Sequence, residues 1–233
     1  MMKIGIIGAM DVEIAYILSQ LEETKETCKA GLTFTEGTIG NVSAVVVKSG
    51  IGKVNAALCT QILIDCFGIT HLINSGIAGS LNNDIEIGDV VVSTDAIMHD
   101  MDVSSFGYDP GQTPGMRARS FRADETLRKT VTEALAHTAP EIHVFEGTVA
   151  TGDQFISDRK RKEEIRRVFN AECMEMEGAA IAQCAYVNEI PFVIMRYISD
   201  KADESASVYY PDFEAAAARR SAELIVSVLK HFE

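Results

Sequence analysis

Apolar positions fall into short continuous runs that alternate with stretches of helical spacing. The first run is Lys3–Gly8, where Ile4, Ile6 and Ile7 suit a strand buried on both faces. A helix should follow, capped by Asp11, with Ile14, Ile17, Leu18 and Leu21 recurring along one side. Leu32–Ile39 and Val42–Lys48 are β-rich and separated by Gly40-Asn41, which predicts a hairpin. Further strands are expected at His71–Asn74, Asp89–Met98, Ile142–Ala150, Glu172–Glu175 and Phe192–Ile198. Helices are expected at Val54–Cys66, Asp124–His137, Asp158–Phe169, Gly178–Val187 and Phe213–Phe232.

Strands separated by helices predict the α/β class: a three-layer α/β/α arrangement around a mixed, mainly parallel twisted central sheet. Asn74-Ser75-Gly76-Ile77-Ala78-Gly79 reads as a small-residue loop just past a strand. Met101–Arg122 and Lys201–Asp212 lack periodicity and read as long loops of the kind that form lids or interfaces. Lys160-Arg161-Lys162, followed by Glu163-Glu164, reads as a solvated helix face.

Composition narrows the function. The chain has 233 residues, 47% of them hydrophobic, enough for a core without metal or disulfide support, and one domain over residues 1–233 is expected. With 21 Lys+Arg against 34 Asp+Glu the net charge is −13, which argues against nucleic acid and anionic membranes as partners. Cys28, Cys59, Cys66, Cys173 and Cys184 form no C-x-x-C pair, so neither a disulfide framework nor a zinc site is expected. His71, His99, His137, His143 and His231 show no ligand spacing, so no metal or organic cofactor is expected. With no signal-like or membrane-spanning run, a cytoplasmic protein is the expectation.

Gly50-Ile51-Gly52-Lys53-Val54-Asn55 stands where a dinucleotide fingerprint would, but Asn55 replaces the third glycine, and Val47 and Val54 break a Walker A pattern. More informative are three carboxylates at the ends of predicted strands: Glu13, Glu177 and Asp200. Ligands of α/β sheets gather at the carboxyl ends of strands. Each acid alone has a plainer role, as a helix-start charge or a turn cap; together they deliver acids to one edge.

Gly5-Ile6-Ile7-Gly8-Ala9-Met10, Lys48-Ser49-Gly50-Ile51-Gly52-Lys53-Val54, Thr151-Gly152-Asp153-Gln154-Phe155-Ile156, Met174-Glu175-Met176-Glu177-Gly178-Ala179 and Ile198-Ser199-Asp200 occur in order along nearly the whole chain. This set resembles the bacterial 5′-methylthioadenosine/S-adenosylhomocysteine nucleosidases of the nucleoside phosphorylase superfamily. The resemblance implies hydrolysis of an N-glycosidic bond with release of adenine, in methionine salvage and methyl-cycle recycling. It makes Asp200 the acid that protonates purine N7, oriented by Ser199, and Glu13 the base that deprotonates water. Asp200 would then keep its proton near neutral pH while Glu13 stays ionised.

The same resemblance puts Glu177, the Met176 backbone and, less strongly, Glu175 at the ribose, Phe155 and the Ile156 backbone at adenine, and Ile51 and Tyr210 around the ribose and 5′-alkylthio group. Ala78 and Gly79 offer backbone contacts, and Arg196 could serve an anion. Val103, Phe106 and Pro114 correspond to residues that close a neighbouring subunit's tail pocket, which implies a homodimer. Two positions depart from the family: Tyr210, where Phe is usual, and Ile77, where a small hydroxyl residue is usual. A phosphorylase would need a cation in the loop after the first strand. Ala9-Met10-Asp11-Val12-Glu13 supplies two carboxylates instead, which favours water over phosphate. A non-catalytic nucleoside sensor would need no such acids. Choice among methylthioadenosine, adenosylhomocysteine, 5′-deoxyadenosine and aminodeoxyfutalosine is not legible in the chain.

Overall fold

The computed structural model describes residues 2–204 and 206–232, residues 206–212 by their backbone alone. Among the described residues ten strands and six helices follow in the order β1 (Lys3–Gly8), α1 (Asp11–Ser19), β2 (Glu22–Lys29), β3 (Leu32–Ile39), β4 (Val42–Lys48), α2 (Lys53–Phe67), β5 (His71–Ser80) and β6 (Val90–Met98). Then come β7 (Phe121–Arg122), α3 (Glu125–Thr138), β8 (Val144–Thr151), α4 (Arg159–Phe169), β9 (Ala171–Glu175), α5 (Gly178–Val187), β10 (Phe192–Asp200) and α6 (Ala206–His231).

The strands form one mixed sheet in two blocks of opposite direction. β4, β1, β5 and β10 run parallel to one another, as do β6, β8 and β9. The blocks join twice, by the antiparallel pairs β10–β6 and β5–β9, so that this end of the sheet curls round and closes on β5. The second join is short, Gly79↔Met174 and Ser80↔Cys173. It brings the carboxyl ends of β5 and β9 side by side. The β3–β4 hairpin forms as expected, with Phe34 opposite Val47, and β2 extends the open edge.

Alternation along the strands divides the apolar side chains between two layers. Ile7, Val45, Val47 and Leu72 pack under Leu63 of α2 and Ile181 of α5, while Ile4, Ile6, Val46 and Ile73 pack under Ile17 of α1, Val131 of α3 and Ile225 of α6. Both faces are therefore covered, as strands apolar on both sides require. A smaller cluster of Leu81, Ile156, Ile165, Met174 and Ala202 seats α4 beside the end of β10.

Several local expectations need correction. Met10 occupies the N-cap of α1, not Asp11, which lies in the first turn and pairs with Lys48 at 2.8 Å. The 74–79 stretch is no loop: β5 continues through it to Ser80, buried almost throughout, because both neighbours β10 and β9 supply partners for its backbone. β2 escaped notice because EETKETCK has no apolar alternation; it is a solvated edge strand. The long segment 101–122 contains a 3-10 turn at Ser104–Phe106 and the two-residue β7. The backbone of α6 begins at Ala206, inside the expected second loop. Lys162 is buried rather than solvated, its Nζ donating to the Lys201 carbonyl oxygen at 2.7 Å.

Candidate active site

Glu13, Glu177 and Asp200 line one recess, walled also by Ala9, Met10, Ile51, Ile77, Ala78, Gly79, Gln154, Phe155, Ile156, Met174, Glu175, Met176, Ser199 and Ala202. Strand ends from both blocks meet there: β1, β5 and β10 from one, β9 from the other. Glu13 and Asp200 come from carboxyl ends of one parallel block, and Glu177 reaches them from the opposite block through the short antiparallel join of β5 and β9.

Glu13 sits in the first turn of α1, 2% exposed, and both oxygens of its carboxylate accept from backbone, two bonds on Oε2 and one on Oε1. Oε2 accepts from the N–H groups of Ala9 at 2.6 Å and Met10 at 3.1 Å, and Oε1 accepts from Ile77 N–H at 3.1 Å. Burial raises its pKa, against the opposing pull of the Arg196 charge and these three N–H groups. The expectation that Glu13 stays ionised is thus modified, since a dry site penalises the charge that the donors favour.

Asp200 ends β10. Its Oδ1 accepts from Ala202 N–H at 2.7 Å and its Oδ2 from the Ser199 hydroxyl at 2.9 Å. Burial raises the Asp200 pKa despite these donors, the direction expected of an acid that must retain a proton. Ser199 Oγ also lies 3.3 Å from the Ala78 carbonyl oxygen, which fixes the rotamer facing Asp200.

Glu177 caps the gap between β9 and α5, and its Oε1 accepts from Gly52 N–H at 2.8 Å. Gly52 has φ +96°, a left-handed conformation in which a side chain would also crowd Asp153. Burial and the neighbouring Glu175 charge push the Glu177 pKa up to about 8. Glu175 lines the recess, but its carboxylate is already engaged by the Thr151 hydroxyl, Arg196 and the N–H groups of Glu177 and Gly178. It is a structural anchor for the β9–α5 turn, not an open ribose ligand.

Arg196 needs a larger correction. It does not line the recess: 1% exposed, it lies behind the wall, bonded to Glu175 and to Asn74 Oδ1 at 2.5 Å, with Glu177 Oε2 3.9 Å away. Its role is counter-charge to buried carboxylates. Phe155 is half-exposed at the mouth and Ile156 buried behind it. Val103, Phe106 and Pro114 do not reach this recess, and Phe106 is 81% exposed. The side chain of Tyr210 lies outside the described residues.

Met174, Gln154, Met10, Ala9 and Ala202 also line the recess without having been singled out, and Asn74 and Thr151 hold its charged groups from beneath. A small polar residue near the end of an apolar strand was the available signal for the latter two. Among the described residues no cluster of His, Cys, Asp and Glu is arranged to hold a metal ion, and no helix is long and apolar enough to cross a membrane.

The fold and site define an α/β protein whose closed mixed sheet carries an acid-lined recess at its strand ends, and the model of the phosphorylase superfamily matches residues 3–230. Within that superfamily the chain belongs to the 5′-methylthioadenosine/S-adenosylhomocysteine nucleosidase family. It is 43% identical to the nucleosidase of that name from Geobacillus sp. (strain WCH70), over 100% of both chains. The Neisseria meningitidis nucleosidase, solved in complex with methylthio-immucillin-A, is similar with a TM-score of 0.94 and 37% identity, covering 99% of each chain. A futalosine hydrolase of Helicobacter pylori superposes with a TM-score of 0.92 at 35% identity, over 98% of this chain and 97% of that one.

Proposed function

We propose that the chain, as a single nucleosidase domain, hydrolyses the N-glycosidic bond of 5′-methylthioadenosine and S-adenosylhomocysteine, and of 5′-deoxyadenosine, releasing adenine and the free sugar. Asp200 is the general acid at purine N7, held by Ser199. Adenine leaves poorly as an anion, and burial favours the protonated carboxyl that the step needs. Glu13 is the base toward water. As positive charge develops on the ribose in an oxocarbenium-like transition state, the ionised forms of Glu13 and Glu177 are both favoured over the resting site, and Glu177, as the carboxylate, stabilises that charge beside the hydroxyls. Phe155 and Ile156 hold the base, and Ile51 the sugar.

One observation carries the choice of water over phosphate. The N–H groups of Ala9 and Met10 at the start of α1, together with that of Ile77, form a natural anion cradle, and the protein's own Glu13 carboxylate occupies it. A phosphate would have to displace a carboxylate from its donors and approach it against like charge.

The reading includes a cytoplasmic homodimer. Val54 and Leu58 on α2, at i and i+4, are 69% and 59% exposed, and Val54 lines a surface recess with Ala57, Met98, Met101, Cys184 and Val187. Such a face, with Met101 and Thr113 at its border, fits a second copy whose 101–116 segment closes the tail end of the recess.

The test is adenine release from methylthioadenosine, adenosylhomocysteine, 5′-deoxyadenosine and aminodeoxyfutalosine, with and without phosphate. Release independent of phosphate, yielding a free reducing sugar, is expected; a sugar 1-phosphate would overturn the hydrolytic reading. In Asp200→Asn, turnover should fall by roughly two to four powers of ten, and near-normal turnover would remove Asp200 from its role.

A further inference from the structure

Outside the wall of the recess, three charged side chains close a ring that joins three segments. Lys53 Nζ lies 2.5 Å from Asp100 Oδ1 and 3.8 Å from Asp153 Oδ2. Asp153 Oδ1 accepts from the backbone N–H of Lys53 at 2.8 Å, and the backbone N–H of Asp153 donates to Asp100 Oδ2 at 3.0 Å. The Lys53 and Asp100 side chains are only 18% and 16% exposed, so solvent and salt screen the pair weakly. Burial works to raise the Asp100 pKa, but Lys53 and the Asp153 N–H outweigh it and hold it below the ordinary carboxylate range. Asp100 is therefore held as the carboxylate that the Lys53 ammonium faces.

Each member stands next to a different part of the recess. Lys53 follows Ile51, which lines it, and Gly52, whose N–H binds Glu177. Asp153 precedes Gln154, Phe155 and Ile156, the wall assigned to the base. Asp100 follows His99, which is buried against Gly152 so closely that a Cβ there would overlap the imidazole ring, and it opens the 101–116 segment. Two consecutive N–H groups at the start of α2 therefore go one to the ribose-side carboxylate and the other to the base-side loop.

We propose that the Lys53–Asp100–Asp153 ring is a positioning device that sets the distance between the base wall and the ribose wall. Its members touch neither the base nor the sugar. They act through Gly52–Glu177 on one side and Phe155–Ile156 on the other. A ligand that spans both walls gains from the fixed spacing, whereas one that touches a single wall does not. The inference rests on the assignment of those walls given above.

The experiment is calorimetric titration of the full-length protein and its Lys53→Met variant with two probes. Adenine meets the base wall alone. A 7-deaza analogue of methylthioadenosine meets both walls and lacks the N7 that must be protonated. In Lys53→Met the nucleoside analogue should bind about tenfold more weakly while adenine stays within about twofold, and Lys53→Arg should restore the ratio. Asp100→Asn, nearly isosteric, gives the same change of ratio and serves if Lys53→Met does not fold. Equal weakening of both probes, or an unchanged ratio, overturns the positioning role while leaving the functional reading intact. A wild-type protein that binds adenine but not the analogue overturns the functional reading and this inference with it.

Discussion

A carboxylate buried beside other carboxylates is tolerated only where donors converge on it, and the recess supplies them unevenly. Glu13 has three backbone donors, Glu175 has four partners, and Glu177 has Gly52 N–H with Arg196 at the edge of reach. Glu177, with the fewest partners of the three, is pushed up by burial and by the neighbouring Glu175 charge. Glu177 is raised from the ordinary 4.5 to about 8, so the folded state keeps a proton that the unfolded chain releases between those values. Its contribution to stability is full below pH 4.5 and is lost as pH rises through about 8. Denaturant melts at pH 5 and pH 9 should show lower stability at pH 9, with a smaller difference in Glu177→Gln. Gly76 is the second sensitive residue, because a Cβ there would overlap the Arg196 guanidinium and the Glu13 carboxylate. Gly76→Ala should cost about 1–3 kcal/mol in the same melts and abolish most adenine release, since the clash falls on the proposed base. Glu13, Glu177 and Asp200 were legible because each stands shortly past the end of a predicted strand. Arg196 and Lys162 were misread because charge in a sequence says nothing of which strand or turn will cover it.

Elements with a strong internal signal were found nearly at their observed bounds. β1 was expected and observed at Lys3–Gly8, α5 at Gly178–Val187, and Asp124 and Asp158 cap α3 and α4 with side-chain bonds to Leu127 and Arg161 N–H. The cap on α3 gives a clean test, since Asp124 accepts from Leu127 N–H at 2.7 Å and lies outside the recess. Asp124→Ala should lower unfolding free energy by about 1 kcal/mol, read by urea titration, with kcat/KM unchanged. What failed were elements whose identity is decided by neighbours. β2 is a strand only because β3 offers it an edge, and residues 75–80 extend β5 only because β9 and β10 flank them. Small residues there satisfy loop and crowded strand equally well, and local spacing cannot tell these apart.

For the whole molecule, the alternation of apolar strands with helices correctly pointed to a covered α/β sheet, but the order of strands is not written in periodicity. Assembly is where the proposed function extends beyond one chain. Leu58→Glu places charge in the exposed apolar face of α2 and should convert a dimer into monomers in sedimentation velocity. Adenine release from methylthioadenosine should fall in the same variant, because the neighbour's 101–116 segment no longer closes the tail pocket. The closure of the sheet on β5 bears on motion as well. Strands of a closed circuit cannot fray one at a time, so the backbone carrying Ser75–Ala78 and Met195–Ile198 has no low-energy route to solvent. Amide protons there should exchange with deuterium only at the rate of complete unfolding, which makes the floor of the recess the most slowly exchanging part of the molecule and leaves opening for ligand entry to the peripheral loops.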